Sequence, residues 1–161
     1  MLVKPATAKA NLDEMLAMSM PDPALIRNLA LETSTDPDSI DKRFQYAYLL
    51  CRSETQADRT FGAGMMEELV KQGYPHDLDC EYSRAISFYI SQLYPEARKI
   101  AELVLRTKPD DERWRQLHLA CVCVADEREK VTNAVIGGGA IAVGVGLLVG
   151  LGGVLFGGGK R

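Results

Sequence analysis

Between Lys130 and Lys160 the chain runs through residues 131–159 without a single charge. At about 1.5 Å per helical residue, roughly 20 residues cross the hydrocarbon core of a bilayer. Inside lipid each backbone N–H and C=O must be satisfied within its own segment, so the stretch reads as one transmembrane helix. Of the 14 glycines, 11 lie here, yet the residues between them are Val, Ile, Leu, Ala and Phe, unlike a flexible linker. Lys160 and Arg161 follow as a short basic tail, read as part of the targeting signal. The expected layout is a flexible N-terminal arm (1–20), a cytosolic head (21–130), and a C-terminal transmembrane anchor (131–159).

Charge narrows what the head does. Without Lys160 and Arg161 the head carries 17 basic against 22 acidic residues, a net charge of −5. Nucleic acid calls for a basic face, so no nucleic-acid partner is expected. The opening residues lack the apolar core of a secretory signal, which points to a cytosolic head with its four Cys reduced.

Helical punctuation organises the head. Asp22 and Pro23 suit the N-cap and first position of a helix carrying Leu25, Ile26, Leu29 and Ala30. A second helix, about 40–53, places Ile40, Phe44, Ala47, Tyr48 and Cys51 at helical spacing. Residues 54–59 read as a loop. A third helix, about 60–72, stops at Gly73 before Pro75. The fourth, about 77–93, has the longest apolar series, from Leu78 through Leu93. A fifth opens at Pro95, and a sixth, from about residue 110, has no breaker before the anchor. Nothing alternates with period two, so no sheet is expected.

The third and fifth helices repeat. At an offset of 34, Glu68, Leu69, Val70, Pro75 and Asp77 meet Glu102, Leu103, Val104, Pro109 and Asp111, and Ala63 meets Ala97. Thirty-four residues is the tetratricopeptide period, in which each helix pair buries its apolar face only by stacking on the next. The expected fold class is therefore all-α: a six-helix tetratricopeptide-like bundle of two repeats plus capping helices, ahead of a single transmembrane helix.

Local sequence extends this to a family. Phe44-Gln-Tyr-Ala-Tyr-Leu-Leu-Cys-Arg-Ser53 resembles the Phe-x-Tyr-Ala-x-x-Leu-x-Arg-Ser stretch of the mitochondrial fission-one protein family. Gly64-Met-Met-Glu-Glu-Leu69 and Lys108-Pro109 resemble its second-helix and repeat-closing motifs. Where the family carries Gly-x-Tyr-Arg-Leu, this chain reads Tyr89-Ile-Ser-Gln-Leu93. The resemblance implies an adaptor of the mitochondrial outer membrane, and often of peroxisomes, whose concave groove recruits a dynamin-related GTPase or its linker protein. It also implies that the N-terminal arm can lie in that groove.

Residue chemistry points away from catalysis. His76, Asp77 and Cys80, and His118, Cys121 and Cys123, are metal-ligand types without a second closely spaced pair in register. No nucleophile–base grouping or phosphate loop occurs, so neither an enzyme nor a cofactor is expected. The candidate partner-binding residues lie on or just beyond the first helices of the repeats: Gln45, Tyr46, Tyr48, Arg52, Tyr82, Tyr89 and Gln92, with Glu81 at the rim. Aromatic side chains favour interface centres, although Tyr48, Tyr82 and Tyr89 also fit core spacing. In the anchor, Gly139, Gly146, Gly150, Gly153 and Gly157 share one face, which would let two copies approach as a homo-oligomer. The expected function is recruitment of the fission machinery. The rival readings are a tail-anchored receptor for protein import and a chaperone-docking protein. The latter needs a clamp of cations for a peptide carboxylate, for which Arg43, Arg52 and Arg84 are available.

Overall fold

The computed structural model describes residues 3–137. Seven helices make up nearly all of it: α1 (Pro5–Met18), α2 (Pro23–Thr35), α3 (Ile40–Leu50), α4 (Gln56–Lys71), α5 (Asp77–Ile90), α6 (Tyr94–Leu105) and α7 (Glu112–Gly137). From α2 onward each helix packs on the next in sequence, while α1 returns from the N-terminus to pack along α7. No described helix is long and apolar enough to cross a membrane. The anchor beyond residue 137, with its five face-sharing glycines, and the tail Lys160–Arg161 lie outside the described residues.

Caps set the element boundaries. Asp22 accepts from the Ala24 N–H, Ser39 from Lys42 and Thr55 from Asp58. Asp111 accepts from Arg113 and Trp114 at 3.0 and 3.3 Å and so opens α7. Each satisfies a donor that the first helical turn leaves free. Thr55 corrects one expectation. Residues 54–59 are not all loop, because its hydroxyl starts α4 at Gln56.

The arm and the helix count are the second correction. The stretch expected as a flexible arm contains a helix, so the described residues hold seven helices and not six. Ala8 and Leu12 are fully buried, and Leu16 packs against the same cluster. These three sit four residues apart, which is one narrow helical stripe. Lys9 pairs with Asp13 at 2.6 Å on the exposed side.

The 34-residue period is real in space. The larger core cluster joins Leu12 of α1, Tyr82, Ile86 and Tyr89 of α5, Ala97 and Ala101 of α6, and Trp114 and Leu117 of α7. The smaller joins Ala47 of α3 and Cys51 just after it to Met66 and Leu69 of α4 and Cys80 of α5. Gly62 lets α3 and α4 meet: a Cβ there would stand 2.7 Å from the Leu50 Cβ and 2.8 Å from the Cys51 backbone nitrogen. Two of the residues expected to face inward on α3, Ile40 and Tyr48, are instead exposed. The buried face of α3 is Ala47 and Leu50, continued by Cys51 just past its end, because α4 packs closest there.

A candidate partner-binding face on α3, α5 and α7

Alternate helices of an antiparallel stack share one side. Here α3, α5 and α7 do so, with contacts from α3 to α5 and from α5 to α7. The repeat places equivalent residues on this side in ladders. Gln45, Asp79 and Arg113 are successive steps of 34, and Arg113 Nη1 donates to Asp79 Oδ1 at 3.0 Å. Tyr48 and Tyr82 form the next ladder, one step deeper. Tyr82 meets the Trp114 ring edge-on with centroids 5.1 Å apart, and the Arg113 guanidinium lies 5.2 Å from its centre. Packing, not charge, fixes this row.

Arg52 is the unusual member. It follows the C-terminal turn of α3, is only 6% exposed, and lies 3.8 Å over the Tyr48 ring. Its Nη1 donates to the Tyr48 carbonyl at 3.3 Å. Burial, the largest influence, pulls its pKa down, yet a guanidinium stays charged in proteins. The other two cations of the expected clamp behave differently. Arg84 is held by Glu81 at 2.9 Å and Glu67 at 3.4 Å. Arg43 donates to Gln72 at 3.0 Å. Two of the three cations of that clamp are thus engaged by side chains of the chain itself.

The structure therefore separates the candidate residues. Gln45, Tyr48, Arg52 and Tyr82 lie on the shared side. Tyr48 is 38% exposed, whereas Tyr82 is 8% exposed and belongs mainly to the core. Tyr46 is two residues from Tyr48, about 200° around the helix, and does not share its face. Tyr89 is buried beneath α1: its hydroxyl donates to Asp13 Oδ1 at 2.8 Å, and Tyr94 meets its ring edge-on at 5.3 Å. Burial, then the bond to Asp13, raise the Tyr89 phenol above its usual range. Gln92 is placed in the α5–α6 turn, with φ +61°. There its N–H donates to the Tyr89 carbonyl while Leu93 N–H reaches Phe88, the pattern that ends α4 at Gly73.

Arg113 and Asp79 are absent from the residues chosen by sequence, although the 34-residue offset from Gln45 would have found both. Of the metal-ligand types, the four Cys are buried, and His118 Nε2 lies 3.3 Å from Glu102. Burial pushes the Cys51 and Cys121 thiols up to about 12 and Cys80 up to about 11, far from a reactive thiolate.

No protein-family profile matches the chain. Among curated proteins it is 31% identical over 112 residues to the mitochondrial fission 1 protein of Yarrowia lipolytica, covering 68% of this chain and 71% of that one. The mitochondrial fission 1 protein of Bos taurus is 28% identical over 127 residues, covering 78% and 84%. Among solved structures, fission protein Fis1 from Saccharomyces cerevisiae superposes with a TM-score of 0.64 at 16% identity, covering 82% of this chain and 98% of that one. Yeast Fis1 in complex with an Mdv1 fragment superposes at 0.60 and 18% identity, covering 80% and 94%.

Proposed function

Because the chain belongs to the mitochondrial fission 1 protein family, we propose that it is a tail-anchored adaptor of the mitochondrial outer membrane that gathers the division machinery. The observation that carries this is the family match across the repeats, joined to a helical face with an exposed aromatic and a cation. A fission adaptor with mitochondrial association is what the relatives support. The finer reading adds an anchor at 131–159, peroxisomes as a second membrane, and a dynamin-related GTPase as the recruited enzyme. One matched structure holds a Fis1 protein with an Mdv1 fragment, so a linker of that kind is the direct partner proposed here.

The mechanism is co-localisation. The chain contributes no bond-making step. A partner segment seats on the side shared by α3, α5 and α7, with Tyr48 supplying contact area. Holding both on one membrane turns the second encounter into an intramolecular one, with an effective concentration in the millimolar range for short tethers. Polymerisation of the GTPase then does the mechanical work. In this reading α1 occupies the α7 side of the face, and a partner uses the α3 side or displaces α1.

A fluorescent fusion tests the proposal. Overexpression should fragment mitochondrial tubules, and a fusion lacking 131–161 should be diffuse and leave them unchanged. Tubules unaffected by the membrane-bound full-length fusion would refute the fission role. A truncated fusion still on the organelle would refute the anchor.

A further inference from the structure

The 34-residue ladders expose an inconsistency that packing does not explain. Arg52 steps to Ile86 and then to Ala120, both fully buried apolar residues. Arg52 thus stands in the turn after α3, where its counterparts at the same offset are hydrocarbon inside α5 and α7. No carboxylate pairs with Arg52 among the described residues; its one hydrogen bond is the 3.3 Å contact to the Tyr48 carbonyl, and its other N–H groups are not fully enclosed and are open to a further acceptor. Two nearby arginines have acids, Arg84 with Glu81 and Glu67 and Arg113 with Asp79, while the other buried one, Arg59, is met by the Ser53 and Glu54 carbonyls, Gln56 and Ser91. Burying a charge without a counter-charge is costly, and apolar residues of similar volume are often as stable or more so. The head as a whole is acidic, at −5, and Arg52 lies over an exposed ring without an acid of its own.

We infer that the α3 side of the face takes a carboxylate from a partner segment, with Arg52 as the anion-binding group and Tyr48 as its apolar shoulder. This rests on the adaptor reading and deepens it by naming the partner's chemistry: an acidic, amphipathic stretch of polypeptide. The fork of a guanidinium matches two carboxylate oxygens, and a desolvated pair of this kind gains more than one in open water. Tyr48 holds the fork flat from one side, so one acidic side chain approaches from the free side while its apolar neighbours cover the rest of the ring. The face that α1 covers, around Tyr89 and α7, is separate from this half.

The test uses the full-length chain in detergent micelles and two labelled 16-residue amphipathic peptides, one of Leu, Ala and Glu and one with every Glu replaced by Gln. Fluorescence anisotropy should show the Glu peptide binding about tenfold tighter or more. Arg52→Met should abolish that ratio while leaving the thermal midpoint unchanged or higher, and Arg52→Lys should keep part of the ratio. Equal binding of both peptides, failure of the Glu peptide to bind, or a ratio surviving Arg52→Met would overturn the inference. A purely structural role at the end of α3 would instead lower the midpoint in Arg52→Met and leave the ratio intact. Loss in Arg52→Met of phosphatidylserine-vesicle binding or of dimerisation, without Glu–Gln discrimination, would assign the site to lipid or to a second copy, also against it. Fragmentation of tubules by the fusion together with equal peptide binding would remove the acid preference and leave the adaptor reading standing.

Discussion

Gln92 holds φ +61° in the turn between α5 and α6, a conformation that costs a side chain about 1–2 kcal/mol and glycine almost nothing. Gly73 fills the same role after α4 at φ +76°. Replacing Gln92 by Gly should therefore stabilise the fold by up to ~1 kcal/mol, after the extra freedom given to the unfolded chain. A raised urea midpoint would show it. The buried thiols give a pH dependence. An exposed thiol titrates near roughly 8.5, whereas Cys51 and Cys121 are pushed up to about 12. Above roughly pH 8.5 the unfolded chain releases protons that the folded chain keeps. This contribution to stability is complete below that pH and is lost as pH rises towards 12. A Cys51→Ala, Cys121→Ala variant should lose stability less steeply between pH 8.5 and 11 than the parent, measured by denaturant midpoints.

At the scale of elements, the α3–α4 crossing depends on Gly62. Its 2.7 Å approach to Leu50 leaves no room for a methyl group, so Gly62→Ala should destabilise by about 1–3 kcal/mol despite better helix propensity. Calorimetry of the two proteins decides this. Attachment of α1 rests on Leu12, which is fully buried. Leu12→Ala should cost about 2–5 kcal/mol of docking. Amide exchange should then speed up through 5–18 while α4 and α5 stay protected; unchanged exchange in α1 would contradict its packing role. Legibility in the sequence followed signal width. The later helices carry apolar faces several residues wide and strong caps, and they were readable. The helix at 5–18 offers only Ala8, Leu12 and Leu16, a thin stripe that reads as a turn or two of an arm able to fold onto the domain and not as a full helix. Thr55 is hard to read as a cap because the residues after it are polar and resemble a loop. Tyr82 and Tyr89 could be placed on the right helices, yet their burial depends on Trp114 and on α1, partners far away in sequence.

The whole molecule is a short repeat stack whose end helix leads towards the uncharged segment. That architecture was visible in the 34-residue offset, because stacking demands the same small residues and breaks in each unit. The exposed part of the face was less visible, since helical spacing alone does not tell a groove aromatic from a core one. The central claim is that the chain brings fission machinery to a membrane, and a flotation assay tests it most directly. Liposomes bearing the full-length chain are mixed with a purified linker protein and a dynamin-related GTPase from the same organism, then floated through a density gradient. The account predicts that linker and GTPase rise with the liposomes, and that Tyr48→Ala lowers their recovery several-fold without releasing the chain itself. Linker and GTPase remaining at the bottom while the chain floats would contradict it.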